Sequence, residues 1–206
     1  MRHLTVALTL MALLCLGSNA LAVNDATSLV LHAVETTFGV CGIADPCPGP
    51  AVDIAVGPSY AFYLLIRNHE EVAGVQTAFD WPTSWALTFG LWDCQGNQVN
   101  GTTPTAPGPQ TGTIASAFDC VTGPDSAVIG RLHLVATTEG CFSQVMSSFP
   151  FGNHVVSCQN DVTPVDPECW GSVCAGSGAQ GVDACAPCEP IPVEPTTWGS
   201  IKAQYN

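Results

Sequence analysis

An all-β chain folded as a two-sheet antiparallel β-sandwich is what this sequence predicts, and three observations predict it. Short runs of β-branched and aromatic residues recur between residues 28 and 158, and Gly, Pro, Asn or Asp separates them. No stretch of that region carries the 3.6-residue apolar period of a helix. Strands spaced this way, with no crossover helices, bury their apolar faces by packing as two antiparallel sheets.

The chain opens MRHLTVALTLMALLCLGSNALA: Arg2 and His3, an apolar run from Leu4 to Leu16, then small residues ending in Ala20-Leu21-Ala22. This pattern predicts an export signal over 1–22 with an A-x-A cleavage site. The run is too short to cross a bilayer, which takes about 20 residues. No later segment approaches that length without Pro, Gly or charge. The expectation is a secreted or cell-surface protein with no membrane span. Cys15 follows Leu13-Leu14 rather than a small residue, which argues against lipid attachment.

A sandwich domain is then expected over 23–160. Its strands are SLVLHAVE (28–35), AVDIAV (51–56), SYAFYLLIR (59–67), GVQTAFDW (74–81), SWALTFGLW (84–92), GTIASAF (112–118), SAVIGRLHLVATT (126–138) and HVVSC (154–158). Each is short and rich in residues that suit a pleated, half-buried surface. CQGNQVNGTTPTAPGPQTG (94–112) reads as a surface loop, an Ω-type excursion closed by Cys94 and Cys120. From 161 to 195 the chain turns rich in Cys, Pro and Gly without apolar alternation, and reads as a disulfide-pinned tail with a stiff spacer. The last segment, 196–206, places Trp198, Ile201 and Tyr205 at i, i+3 and i+7 behind a capping Thr, the stripe of a short amphipathic helix. Such a helix is marginal alone, so the stripe is expected to meet a partner or sorting receptor.

Ten cysteines follow the export signal: Cys41, Cys47, Cys94, Cys120, Cys141, Cys158, Cys169, Cys174, Cys185 and Cys188. An even number in an exported chain implies a disulfide framework. Closeness in sequence suggests Cys41 with Cys47, Cys94 with Cys120 and Cys141 with Cys158. Cys169-x4-Cys174 and Cys185-x2-Cys188 have zinc-ribbon spacing in part, but the x4 half and the oxidising compartment favour disulfides. No metal and no cofactor is expected.

The formal charge is −13, from 4 basic and 17 acidic residues, and loss of Arg2 with the signal makes it −14. Arg67, Arg131 and Lys202 are too few and too scattered to bind phosphate chains, which excludes nucleic acid as a partner class.

FDWPTSWALTFGLW (79–92) packs three Trp and two Phe into fourteen positions. Alternation puts Val75, Thr77, Phe79 and Trp81 on one strand face, and Trp85, Leu87, Phe89 and Leu91 on one face of the next. Phe79, Trp81, Leu87 and Phe89 are therefore expected in the core. Trp92, with small strand neighbours, and Trp85 are the candidate ligand-binding rings. Asp80 and Asp93 bracket the cluster and would be the acids of a glycan hydrolase if they converged. Gly57-Pro58-Ser59-Tyr60-Ala61 leads into a strand rather than a helix, so it is not a nucleophile elbow. The histidines show no ligand spacing, and His32, His69, His133 and His154 are expected at strand surfaces or turns.

RNHEEVAGVQTAFDWPTSWALTF and SAVIGRLHLVATTEGCFSQV resemble cohesin-type modules, in which a strand turns through a V-A-G step into a strand closed by an aromatic and a Pro. VEPTTWGSIKAQYN is similar to the tail of uncharacterised secreted proteins of environmental bacteria that end W-G-x-I-K-x-x-Y. Cohesin-type modules bind partner domains, so the resemblance implies a non-catalytic binding or adhesion module recognising a protein or glycan partner at the cell surface. Two other classes remain open: a secreted glycan-directed hydrolase using the aromatic cluster as a subsite, and a structural envelope component held by its C-terminal tail.

Overall fold

The computed structural model describes residues 27–184 except 37–39, 45, 48, 70, 92–93, 95–103, 123–125 and 179. The export segment 1–22, Trp92, Asp93, Cys185, Cys188 and the 196–206 segment with Trp198, Ile201 and Tyr205 lie outside the described residues.

Two sheets make a β-sandwich. The first contains β1 (Ser28–Glu35), β3 (Ser59–Arg67), β7 (Ala127–Val135) and β5 (Ala86–Leu91), in the order β1-β3-β7-β5 and antiparallel throughout. The second runs from β10 (Val162–Pro164) through β9 (His154–Val156), β4 (Glu71–Asp80), β8 (Gly140–Val145) and β11 (Ser172–Ala175) to β2 (Asp53–Ile54), with β6 (Thr113–Thr122) beside β4. One side of β4 is lined by β6, while β9 and β8 share the other at Gly74–Gln76 and Ala78–Asp80. Only β11 with β2 is parallel among the named pairs.

The inner faces meet in one core. Leu29, Leu31, Phe62, Leu64, Ile129 and Leu132 of the first sheet pack on Val75, Phe79, Ile114, Phe142 and Val155 of the second. Phe142 bridges them, with ring centroids 4.9 Å from Phe62 and 4.9 Å from Phe79. Trp81 joins this cluster with Tyr60, Phe62 and Leu64, as alternation in the sequence requires. Fully burying side chains of this size contributes about 1.5–3 kcal/mol each.

In the first sheet β1 and β3 are buried on both faces, which explains why SLVLHAVE and SYAFYLLIR read almost continuously apolar. On its outer face Val30, Ala61, Tyr63, Leu65 and Val128 form a second cluster with Ala184, against which Ile43, Cys47 and Cys94 pack. The Cys-rich connections thus cover one sheet.

The structure changes some of these sequence expectations. The tail expected from 161 is built into the sandwich through β10 and β11, where Thr163, Val165, Cys169, Val173 and Cys174 are buried. Gly171, between β10 and β11 of the second sheet, touches the first, its N–H donating to the Leu29 carbonyl, and an added Cβ there would lie 2.8 Å from the Leu31 nitrogen. The short β10 and β11 were not expected as strands, and β2 keeps only two residues of the expected 51–56 run.

Phe89 is 48% exposed rather than in the core. A bulge between Leu87 and Phe89 inserts Thr88, which reverses the faces beyond it. Leu87 remains against the core. A second bulge, opposite Leu64/Leu65 in β7, leaves Ile129 inside but turns Arg131 and His133 outward.

The disulfides join Cys41 with Cys94, Cys120 with Cys158, and Cys141 with Cys174, at Cα separations of 5.1, 5.4 and 4.0 Å. Cys47 and Cys169 are disulfide-bonded as well. All three pairings suggested by sequence closeness are replaced, and the 94–112 loop is not closed by Cys94 and Cys120. Cross-links follow neighbours in space: Cys141 and Cys174 stand opposite each other on paired strands β8 and β11, 33 residues apart in sequence.

Candidate functional site

The outer face of the second sheet carries a largely apolar groove. Its floor is built of small residues on neighbouring strands, Gly74 on β4 and Ala115 and Ala117 on β6, and its walls are Gln76, His154, Val156 and Asn160. Together they enclose an open groove of about 300 Å³. Beside it stands the β8–β9 connection, SSFPFGN (147–153) following Met146. In it Met146 is 51%, Phe149 40% and Phe151 79% exposed.

Although it lies on the surface, the connection is held from beneath. Gln76 Nε2 donates to the carbonyls of Pro150 and Gly152 at 2.9 and 2.7 Å. Asn153, almost fully buried, accepts the Ser147 N–H at its Oδ1 and donates through Nδ2 to the Val145 carbonyl, both at 2.9 Å. The Ser148 N–H donates to the Pro109 carbonyl. Gly152, at φ 63°, lets the Met146 thioether lie where a side chain would otherwise stand, 2.6 Å from the place of a Cβ.

Phe151 is in the left-handed region at φ 73°. That conformation is unfavourable for a bulky side chain, and backbone strain of this kind costs on the order of 1–3 kcal/mol. The strained residue also leaves its ring in water, touching the His154 ring edge to face at 6.1 Å. His154 is buried, which pushes its pKa down against a smaller upward pull from the Gly152 carbonyl. Its Nδ1 lies 3.2 Å from that carbonyl oxygen, which makes Nδ1 the protonated nitrogen of the neutral ring.

The sequence-predicted ring site is elsewhere and is not a surface. Trp85 is buried, packs on Phe62 at 6.1 Å, and donates its indole N–H to the Thr138 carbonyl at 2.9 Å. Neither face of that ring is open to a ligand. Trp92, Asp93 and the tail residues Trp198, Ile201 and Tyr205 are outside the described residues. Asp80 is exposed and accepts the N–H of its own neighbour Trp81. With Phe79, Trp81 and Trp85 all buried, the cluster 79–92 offers no sugar subsite through these rings.

His69, His133 and His154 are buried rather than at the surface, and His32 is half-buried. His32 and His133 are pushed down in pKa, both first by burial and His133 also by Arg131. His32 Nδ1 accepts the Ala51 N–H at 2.8 Å, a structural contact. Among the described residues, Glu71, Cys120 and Cys158 cluster as metal ligands would, but the two sulfurs are bonded to each other. Cys174 is bonded to Cys141, so the zinc-ribbon alternative falls. No described helix is long and apolar enough to cross a membrane.

The missed functional candidates are Phe149 and Phe151. Their signal was available as F-P-F-G, two rings around a Pro in a turn, but turn rings become visible as exposed only once the strands beneath them are placed.

No family model and no curated protein matches the chain. Among solved structures it is similar to the cohesin module of a Clostridium perfringens family 33 glycoside hydrolase, at 11% identity and TM-score 0.42, covering 72% of this chain and 98% of that one. It is also similar to a non-cellulosomal cohesin from the archaeon Archaeoglobus fulgidus, at 8% identity and TM-score 0.43, covering 73% and 91%. A type II cohesin domain from the cellulosome of Acetivibrio cellulolyticus gives 11% identity and TM-score 0.37 over 65% and 90%.

Proposed function

We propose that the chain is an exported, non-catalytic binding module, and that its partner is a protein gripped by the Phe149–Phe151 connection and the groove beside it. One observation carries this reading: Phe151 combines an unfavourable backbone conformation with a ring that is 79% exposed, in a loop fixed by the hydrogen bonds of the buried Asn153. Strain and exposure both cost free energy in the isolated chain. A partner that buries the ring offsets both, and a loop ordered beforehand loses little entropy on binding.

Protein is favoured over glycan because the polar groups around the rings are already engaged. The Gln76 Nε2 group is spent on the Pro150 and Gly152 carbonyls, and His154 Nδ1 shares the second of these. The exposed Phe149, Phe151 and Met146 side chains suit apolar side chains of a partner rather than sugar hydroxyls.

The test compares immobilised wild type with the Phe149→Ser/Phe151→Ser double variant, incubated with solubilised envelope protein and, separately, with a glycan array. The expected result is a protein retained by wild type and lost from the variant, at an unchanged melting temperature. Retention of the same protein by both forms would place the binding surface elsewhere, and glycan binding lost with the two rings would replace protein by carbohydrate. Retention at the cell surface through Trp198, Ile201 and Tyr205 belongs to the same reading. Deleting 196–206 is expected to move the protein into the medium without lowering its stability.

A further inference from the structure

Arg131 is one of three basic residues left after the export signal, and its surroundings are unusual. The β7 bulge turns it to the outer face of the first sheet, where its guanidinium lies 5.9 Å from the Phe89 ring centroid. Its Nη1 is 3.1 Å from Cys41 Sγ and 3.9 Å from Cys94 Sγ, so the cation sits against one sulfur of a disulfide. Its Nε is buried without a hydrogen-bond partner.

The Cys120–Cys158 disulfide has the opposite setting. Cys120 is the more exposed, yet a Glu71 carboxylate oxygen and the two sulfurs all lie within 4.8 Å of one another. In the third, Cys141–Cys174, Cys174 is almost fully buried.

From this contrast we infer that Cys41–Cys94 is a thiol-reactive disulfide, opened by an external thiol that attacks Cys94 and expels Cys41 as a thiolate held by Arg131. The attacking thiolate forms a bond from its sulfur to Cys94 Sγ as the Cys94–Cys41 bond breaks, and the bonding pair leaves on Cys41 Sγ. The product is a mixed disulfide on Cys94 and a free Cys41 thiolate, with no net oxidation. A second equivalent of the thiol then attacks its own sulfur in the mixed disulfide, releasing Cys94 as a thiolate and leaving the reagent as its disulfide.

Two electrostatic effects select this bond. A cation stabilises both the approaching thiolate and the leaving one, while the Glu71 carboxylate opposes both at Cys120–Cys158. Direction follows from distance, because the sulfur nearer Arg131 is the better leaving group. Opening the bond frees Cys41, while the separate disulfide at Cys47 still holds Cys47 beside Ile43 on the outer cluster of the first sheet.

The experiment treats the folded full-length protein with 2-mercaptoethanol, an uncharged thiol, quenches with acid, alkylates, and locates adducts by peptide mass spectrometry. The expected first species carries mercaptoethanol on Cys94 and the alkyl group on Cys41, with Cys120–Cys158 intact. A cation lowers a neighbouring thiol's pKa by about 1–3 units, of which roughly half is felt in the transition state, so Arg131→Gln should slow the step about 3- to 30-fold. Arg131→Lys should restore part of the rate, and Glu71→Gln should speed opening of Cys120–Cys158. Cys120–Cys158 opening first in wild type, an adduct on Cys41 instead of Cys94, or an unchanged rate in a folded Arg131→Gln variant would each overturn the inference. Adduct position in wild type is read without any variant, so the test survives if Arg131→Gln does not fold.

Discussion

Replacing Phe142 by Ala tests the arrangement of the sandwich most directly. Its side chain is 1% exposed, its ring lies 4.9 Å from Phe62 on the opposite sheet, and it also stacks on Phe79 at 4.9 Å and tilts against Trp81 at 5.6 Å. Truncating a buried Phe costs about 3–5 kcal/mol, from lost transfer free energy and from the cavity left behind. Two further effects favour the upper half of that range. Three aromatic neighbours lose their partner, and Cys141, the preceding residue, is fixed to Cys174, so the strand has little freedom to collapse into the void. We expect a loss of about 4–5 kcal/mol, equivalent to a fall in Tm of about 10–15 °C for a chain of this size. The assay is urea and thermal unfolding followed by near-ultraviolet circular dichroism, with the disulfides oxidised. Phe151→Ala serves as the control, since the same atoms are removed from a ring that is 79% exposed, and its change should stay within about 0.5 kcal/mol. A Phe142→Ala loss below about 1 kcal/mol would refute a core in which the two sheets meet through this ring.

Other consequences are as concrete. Asn153→Ala removes both partners of the Ser147 N–H and Val145 carbonyl contacts, and each group left buried costs about 1–3 kcal/mol; limited proteolysis should then cut within 146–152. Gly171→Ala places a methyl 2.8 Å from the Leu31 nitrogen and should destabilise by about 1–3 kcal/mol, seen as a lower urea midpoint with unchanged slope. His32, His133 and His154 are all held below their ordinary pKa by burial, so below about pH 6.5 the unfolded chain takes up protons that the folded chain refuses. Their contribution is fully present above that pH and is lost as pH falls. Wild type should lose stability on moving from pH 7 to pH 5, and His154→Gln should show a shallower loss.

The extent of the fold that could be read from the sequence follows from what is local. Period-two alternation and aromatic clustering depend on neighbouring residues, so the strands β1, β3, β4 and β7 and the burial of Phe79 and Trp81 were legible along the chain. The all-β class followed from the same signals, since no competing helical period exists in those segments. Other features are set by partners distant in sequence. A bulge of one residue at Thr88 decides that Phe89 faces water, and nothing in ALTFGL marks where the extra residue falls, because it depends on how β5 registers against β7. The strands at Val162–Pro164 and Ser172–Ala175 lack apolar alternation; they are strands because β9, β8 and β2 present backbone groups that need pairing. Disulfide pairing behaves likewise, since Cys41 and Cys94 are 53 residues apart and become neighbours only when the first sheet is covered. The candidate site was least legible of all. Exposure of Phe149 and Phe151 is a property of what does not pack on them, which a chain shows only after every other apolar side chain has found its place.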